Sequence, residues 1–172
     1  YFEKMDGLIV RYASVDARIT DLPTHTPLDL TAFNTDGFDV TGNNVHIHDV
    51  NIWNQDDCVC VKDGSTNMLI ERVNASGLGL VVGSIGSSVV RNITFRDSIM
   101  IRSFKGIYMK TRWNDGPPAD MDVASISDVT YENITMIDPE QYGIWIGPAQ
   151  QTGQPCDLHT NGDSPTIMPL PA

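Results

Sequence analysis

Asn44-Val45-His46-Ile47-His48-Asp49-Val50-Asn51 is answered 23 residues later by Asn67-Met68-Leu69-Ile70-Glu71-Arg72-Val73-Asn74. The pattern returns at Asn92-Ile93-Thr94-Phe95-Arg96-Asp97-Ser98-Ile99 after a step of 25, and at Asp128-Val129-Thr130-Tyr131-Glu132-Asn133-Ile134-Thr135 after a step of 36. Each copy opens on Asn or Asp and then alternates apolar with polar residues, which is the signal of a strand. No window carries sustained apolar spacing at three and four residues, so helices are not expected. Strands recurring at a period in the low twenties predict an all-β chain coiled as a parallel β-helix solenoid of several coils. Leucine-rich repeats share the period, but their Leu-x-x-Leu-x-Leu signature is missing. A β-sandwich needs tight hairpin turns that the chain seldom offers.

Working outward, like residues on successive rungs stack about 4.8 Å apart, and Asn51 over Asn74 is expected as one internal ladder. Residues 1–35 read as an earlier, imperfect rung, with strand material at Leu8-Ile9-Val10 and Val15-Asp16-Ala17-Arg18-Ile19 and a break at His25-Thr26-Pro27. The long last step is explained by a Gly/Pro-rich insertion, Asn114-Asp115-Gly116-Pro117-Pro118-Ala119-Asp120. Coils are therefore expected over residues 1–147, with an insertion loop at about 112–124. Residues 148–172 hold five of the ten prolines and are expected to be an irregular C-terminal segment.

Composition narrows the function. At 172 residues with 41% hydrophobic and 19% charged content, the chain suits one ordered domain. A net charge of -11 argues against nucleic acid or an anionic membrane surface as partner, and no apolar run is long enough to span a bilayer. The chain opens on Tyr1-Phe2-Glu3 with no initiating Met and no signal peptide, which fits a mature secreted protein or a fragment. Three sequons, at Asn74, Asn92 and Asn133, suit an extracellular glycoprotein. Cys58 and Cys60 lie two apart on one strand and cannot comfortably pair with each other. They are expected as buried thiols, with a bridge to Cys156 left open.

Acids concentrate in two turns, Asn34-Thr35-Asp36-Gly37 and Gln55-Asp56-Asp57-Cys58. Asp36 to Asp57 is 21 residues, and Asp57 to Leu78 is again 21. One coil per 21 residues puts these three positions in one column, with Asp56 offset from it. Two carboxylates one rung apart raise each other's proton affinity. Such a set suits inverting glycoside hydrolysis, in which acid and base stand roughly 6.5–9.5 Å apart around a water. A single Asp at a turn is ordinarily structural, so the weight rests on the adjacent pair.

Order and spacing of these motifs resemble the polygalacturonase-type glycoside hydrolases, family 28. Downstream, Ser76-Gly77-Leu78-Gly79, Gly83-Ser84-Ile85-Gly86 and Gly106-Ile107-Tyr108-Met109-Lys110 look like further motifs of that family. The resemblance covers about residues 7–147. It implies a right-handed, pectin-lyase-like parallel β-helix that hydrolyses pectic polysaccharides with inversion and without metal or cofactor. Asp56 would then protonate the leaving oxygen, Asp36 and Asp57 would hold the attacking water, and Lys110 would bind the sugar. Asn34, Gln55, Leu78, Tyr108 and Trp113 complete the expected substrate contacts.

Two departures bear on the substrate. Leu78 stands where the family usually has His, and Tyr108 stands where it usually has Arg; neither replacement can supply a cation. The sugar could therefore be another acidic or neutral glycan, and the rival function is a catalytically silent glycan-binding β-helix. Family members also carry more coils on both sides, so further coils or another subunit are expected to cap this solenoid. His46 and His48 share one face without an evident third metal ligand and are expected as a surface pair. Of Trp53, Trp113 and Trp145, Trp113 is the favoured sugar-stacking residue. Lys62, Lys105 and Arg112 are expected to offset the acidic surface locally.

Overall fold

In a computed structural model of the chain, residues 1–19, 32, 34–113, 124–147 and 150–151 are described. Every element among them is a strand. The first coil contributes β1 (Phe2–Asp6), β2 (Ile9–Arg11) and β3 (Ser14–Asp16), all paired in parallel with the long β4 (Phe38–Trp53). Then follow β5 (Val59–Val61), β6 (Thr66–Ser76), β7 (Leu80–Ile85) and β8 (Val89–Ile101). The remaining strands are β9 (Lys105–Trp113), β10 (Ser125–Ile137), β11 (Tyr142–Ile146) and β12 (Gln150–Gln151). All pairings are parallel, and the chain winds as a right-handed parallel β-helix.

Register confirms the repeat. Val45 pairs with Met68, Met68 with Ile93 and Ile93 with Val129, which are the 23, 25 and 36 steps of the sequence. Each coil has three faces, and Asn, Asp and a few other residues turn the corners in the left-handed region. One corner column is Asn44, Asn67, Asn92 and Asp128, with φ of 52–57°. A second is Asp49, Arg72, Asp97 and Asn133, with φ of 50–54°. Short polar side chains tolerate this backbone best, which explains why each repeat begins on Asn or Asp.

Apolar columns fill the interior. Phe38, Val59, Leu80 and Ile107 stack along the first face; Ile47, Ile70, Phe95 and Tyr131 along the second; Ile52, Ala75, Met100 and Met136 along the third. Phe95 and Tyr131 lie parallel with centroids 4.7 Å apart. Burial is complete in the middle coils and falls off at the outer rungs, where Ile144 is 61% exposed.

Coil length varies most at one corner. From the first face to the second the chain runs from Val40 to Val45, Val61 to Met68, Val82 to Ile93 and Met109 to Val129 on successive rungs, spans of 5, 7, 11 and 20 residues. From the second face to the third it is always three: Ile47 to Val50, Ile70 to Val73, Phe95 to Ser98 and Tyr131 to Ile134.

Several expectations are refined. Asn74 Nδ2 does donate to Asn51 Oδ1 at 3.2 Å, but the ladder faces outward, because Val50 and Ile52 take the inward positions on either side. The His46 and His48 rings lie tilted with centroids 4.3 Å apart, with His46 3.0 Å from Glu71 and His48 2.6 Å from Asp49; His48 is buried rather than at the surface. Cys58 and Cys60 are buried free thiols. β2 and β3 supply the strands of the imperfect early rung; His25-Thr26-Pro27, Cys156 and residues 114–123 lie outside the described residues. So does most of 148–172, within which Gln150–Gln151 pairs with β9.

Candidate active site

The 21-residue step holds on the first face. Phe38 pairs with Val59 and Val59 with Leu80, so Asp36, Asp57 and Leu78 fall two residues ahead of each, in one column. Backbone bonds continue the stacking, from Gly37 N–H to the Asp57 carbonyl at 2.9 Å and from Cys58 N–H to the Gly79 carbonyl at 2.9 Å. Between β7 and β9 the step lengthens to 27, since Leu80 pairs with Ile107. The next residue in the column is therefore Lys105.

A buried amide fixes the turns that carry the acids. Asn54 Nδ2 donates to the carbonyls of Thr35 and Asp57, both at 2.9 Å, and ties the two acidic turns together. Gln55 N–H donates to Thr35 Oγ1 at 3.0 Å. Gly77 lies against this knot: a Cβ there would come within 2.1 Å of Asn54 Oδ1 and 2.6 Å of Cys58 Sγ. Sequence reasoning passed over Asn54. Its place directly before the acidic motif is the available signal, but its burial comes only from the fold.

Asp36, Asp56 and Asp57 do converge, each presenting a carboxylate oxygen within 4.8 Å of the others. That is closer than the 6.5–9.5 Å expected around an intervening water. Asp56 spends both oxygens as acceptors, Oδ2 from Asn34 N–H and Oδ1 from Asp57 N–H, each at 2.8 Å. Asp57 is buried; its Oδ2 receives Lys110 Nζ at 2.6 Å, while Oδ1 has no hydrogen-bond partner. Asp36 is the group held protonated. Burial, reinforced by Asp56, Asp39 and Asp57 and opposed by Lys62, pushes its carboxyl up to about 7.

The cations differ in how far they are already engaged. Lys62 lies 3.1 Å from Asp39 and 4.0 Å from Asp36. Burial disfavours the Lys110 charge, but the Asp57 charge, Cys60 and the hydrogen bond to Asp57 together raise its proton affinity. Three converging carboxylates have the donor chemistry to hold a divalent cation; here Lys62 and Lys110 already bring positive charge to Asp36 and Asp57.

The acids open into a cavity of about 430 Å³ lined also by Asn34, Lys62, Leu78, Ser84, Phe104, Lys105, Tyr108, Lys110 and Arg112. Asn34, Leu78, Tyr108 and Lys110 thus line the same cavity as the three acids. Gln55 does not line the cavity; it is buried behind the acids, a position that supports holding the turn. Trp113 ends β9, but its side chain lies outside the described residues. Trp145, ranked below Trp113, approaches the Lys105 ammonium at 5.1 Å.

Comparison with known proteins identifies a family. The sequence profile of glycosyl hydrolases family 28 matches residues 2–164. The chain is 39% identical to a protein named probable endopolygalacturonase E from Aspergillus niger, over 69% of the chain and 30% of that protein. It is 36% identical to endopolygalacturonase I from Aspergillus aculeatus, over 75% of the chain and 33% of that protein. With probable endopolygalacturonase D from Emericella nidulans it shares 34% identity over 95% of the chain and 32% of that protein. It spans about a third of the length of these curated relatives. A coil that stacks Asp36 on Asp57, and a family profile that runs through both acidic turns, lead to one assignment: the chain belongs to glycosyl hydrolases family 28.

Proposed function

We propose that this chain carries the acid/base centre of an inverting glycoside hydrolase acting on a polygalacturonan-like acidic polysaccharide outside the cell. The observation that carries the reading is the convergence of Asp36, Asp56 and Asp57, with one member protonated near neutrality and one buried oxygen, Asp57 Oδ1, left without a partner. A water between Asp36 and Asp57 would find that oxygen as its acceptor. Hydrolysis needs a donor and a base of opposite protonation state at working pH, and this trio offers both.

Family likeness gives Asp56 the donor role. In the free groove the proton resides on Asp36, so we take the three acids as one proton-sharing set. An arriving glycan oxygen draws the proton to Asp56, and Asp36 and Asp57 are left to deprotonate the water. Among the described residues no helix is long and apolar enough to cross a membrane, which accords with an extracellular polysaccharide as partner.

The test is reducing-end release from a panel of pectic and other acidic glycans, using the protein with its flanking coils. Binding without release would leave the silent glycan-binding reading in its place. The oxygen spacing within 4.8 Å favours a second reading, a retaining route with a carboxylate nucleophile. Proton NMR of the first anomer formed separates the two: inverted product supports the proposal and retained product overturns its stereochemistry.

A further inference from the structure

The cavity contains one ammonium that is held in place without being neutralised. Lys105 Nζ lies 4.4 Å from the ring centre of Tyr108, 4.6 Å from Phe104 and 5.1 Å from Trp145. Among the described residues no carboxylate pairs with it. Aromatic faces attract a cation through their quadrupole but carry no net charge, so they position this ammonium and leave its charge available. Lys62 and Lys110, by contrast, are engaged by Asp39 and Asp57.

Position along the groove matters equally. In register Lys105 follows Leu78 in the column that begins at Asp36 and Asp57. Two rungs separate it from Asp57, roughly 10 Å at rung spacing. That is the reach from the acids to a sugar one or two residues along a chain, with the apolar Leu78 between them. An anionic glycan approaching three carboxylates needs a compensating cation, and Tyr108 cannot supply one.

We propose that Lys105, caged by Phe104, Tyr108 and Trp145, receives the carboxylate of a uronic-acid residue of the bound glycan and makes the groove selective for unesterified over methyl-esterified chains. Burial and the neighbouring Lys110 lower the proton affinity of Lys105, against the pull of Asp57, so an incoming carboxylate would also stabilise its charged form. The inference rests on the glycan-groove reading above and names its substrate class.

The experiment is calorimetric titration of galacturonate oligomers, unesterified and fully methyl-esterified, into the protein with its flanking coils. It is run in an Asp56→Asn background so that turnover does not consume the ligand. We expect the parent to prefer the unesterified oligomer by about ten-fold or more. Lys105→Met should bring that ratio close to one, and Lys105→Arg should restore it. An unchanged preference in Lys105→Met, or no preference in the parent, overturns the proposal. Should Lys105→Met fold poorly, Lys105→Gln carries the same comparison; the two ligands differ only in charge and its ester, so a merely structural role leaves their ratio unmoved. Reducing-end release by the unmutated protein is scored separately. Lys105-dependent selectivity without release defeats the hydrolase reading alone, and release with selectivity independent of Lys105 defeats this inference alone.

Discussion

Lys110 Nζ sits 2.6 Å from Asp57 Oδ2, joining residues 53 apart in sequence across two rungs of one face. The pair is nearly dry: Asp57 is 1% and Lys110 12% exposed in their side chains. Removing one partner of a buried pair leaves the other charge uncompensated, a loss of roughly 3–5 kcal/mol. Lys110→Met is therefore expected to lower stability by about 3 kcal/mol and to abolish hydrolysis. Denaturant unfolding checks the first and reducing-end release the second. A variant as stable as the parent would show that the pair is not holding Asp57.

Asp56→Asn is expected to cut turnover by roughly 10²–10⁴. The fold and glycan affinity should be largely kept, because one oxygen still accepts a backbone N–H. Circular dichroism and calorimetric binding verify the retained properties; unchanged turnover would refute Asp56 as proton donor.

The proton on Asp36 makes stability depend on pH. Its folded-state value of about 7 lies above the ordinary 3.8, so between those values the folded chain binds more protons than the unfolded one. Its contribution is fully present below about 4 and is lost as pH rises through 7. Asp36→Asn should remove that loss. Because Asp36 is partly exposed, we expect a gain of about 1–2 kcal/mol at pH 8 over the parent, or about 4 °C in Tm. At pH 4 the two proteins should melt nearly together. Equal melting differences at both pH values would place the proton elsewhere.

Asn54→Leu tests the knot behind the acids. It removes both bonds that join Thr35 and Asp57 and strands the Thr35 carbonyl, while the Asp57 carbonyl keeps Gly37 N–H, at a cost of about 1–3 kcal/mol. In the folded fraction kcat should fall while KM changes little, since Asn54 does not line the cavity. A fall confined to KM would mean that it acts on substrate binding instead.

Much of this is legible in the sequence. Asn or Asp at the head of each repeat reports corners in the left-handed region, and the 21-residue spacing of Asp36, Asp57 and Leu78 reports a shared column. What escaped reading depended on direction and burial. Asn51 and Asn74 form a ladder whose side is set by the corner at Asp49, which shifts the alternation after His48. Asn54 is an ordinary turn residue until the coil closes over it. Lys105 joins the column only because the step lengthens from 21 to 27, a change that no constant period predicts. Asp36 holds its proton because burial and neighbouring carboxylates surround it, and spacing does not encode that.

The spans of 5, 7, 11 and 20 residues leading from the first face to the second give this architecture a separable design. Most length is added where the chain leaves the strands of the first face, while the turn holding Asp56 and Asp57 precedes them and is fixed by Asn54. Loops can therefore be lengthened or exchanged at that border without moving one acid relative to another. Selection can reshape that border and leave the arrangement of the three acids intact, and an engineer can graft there for the same reason.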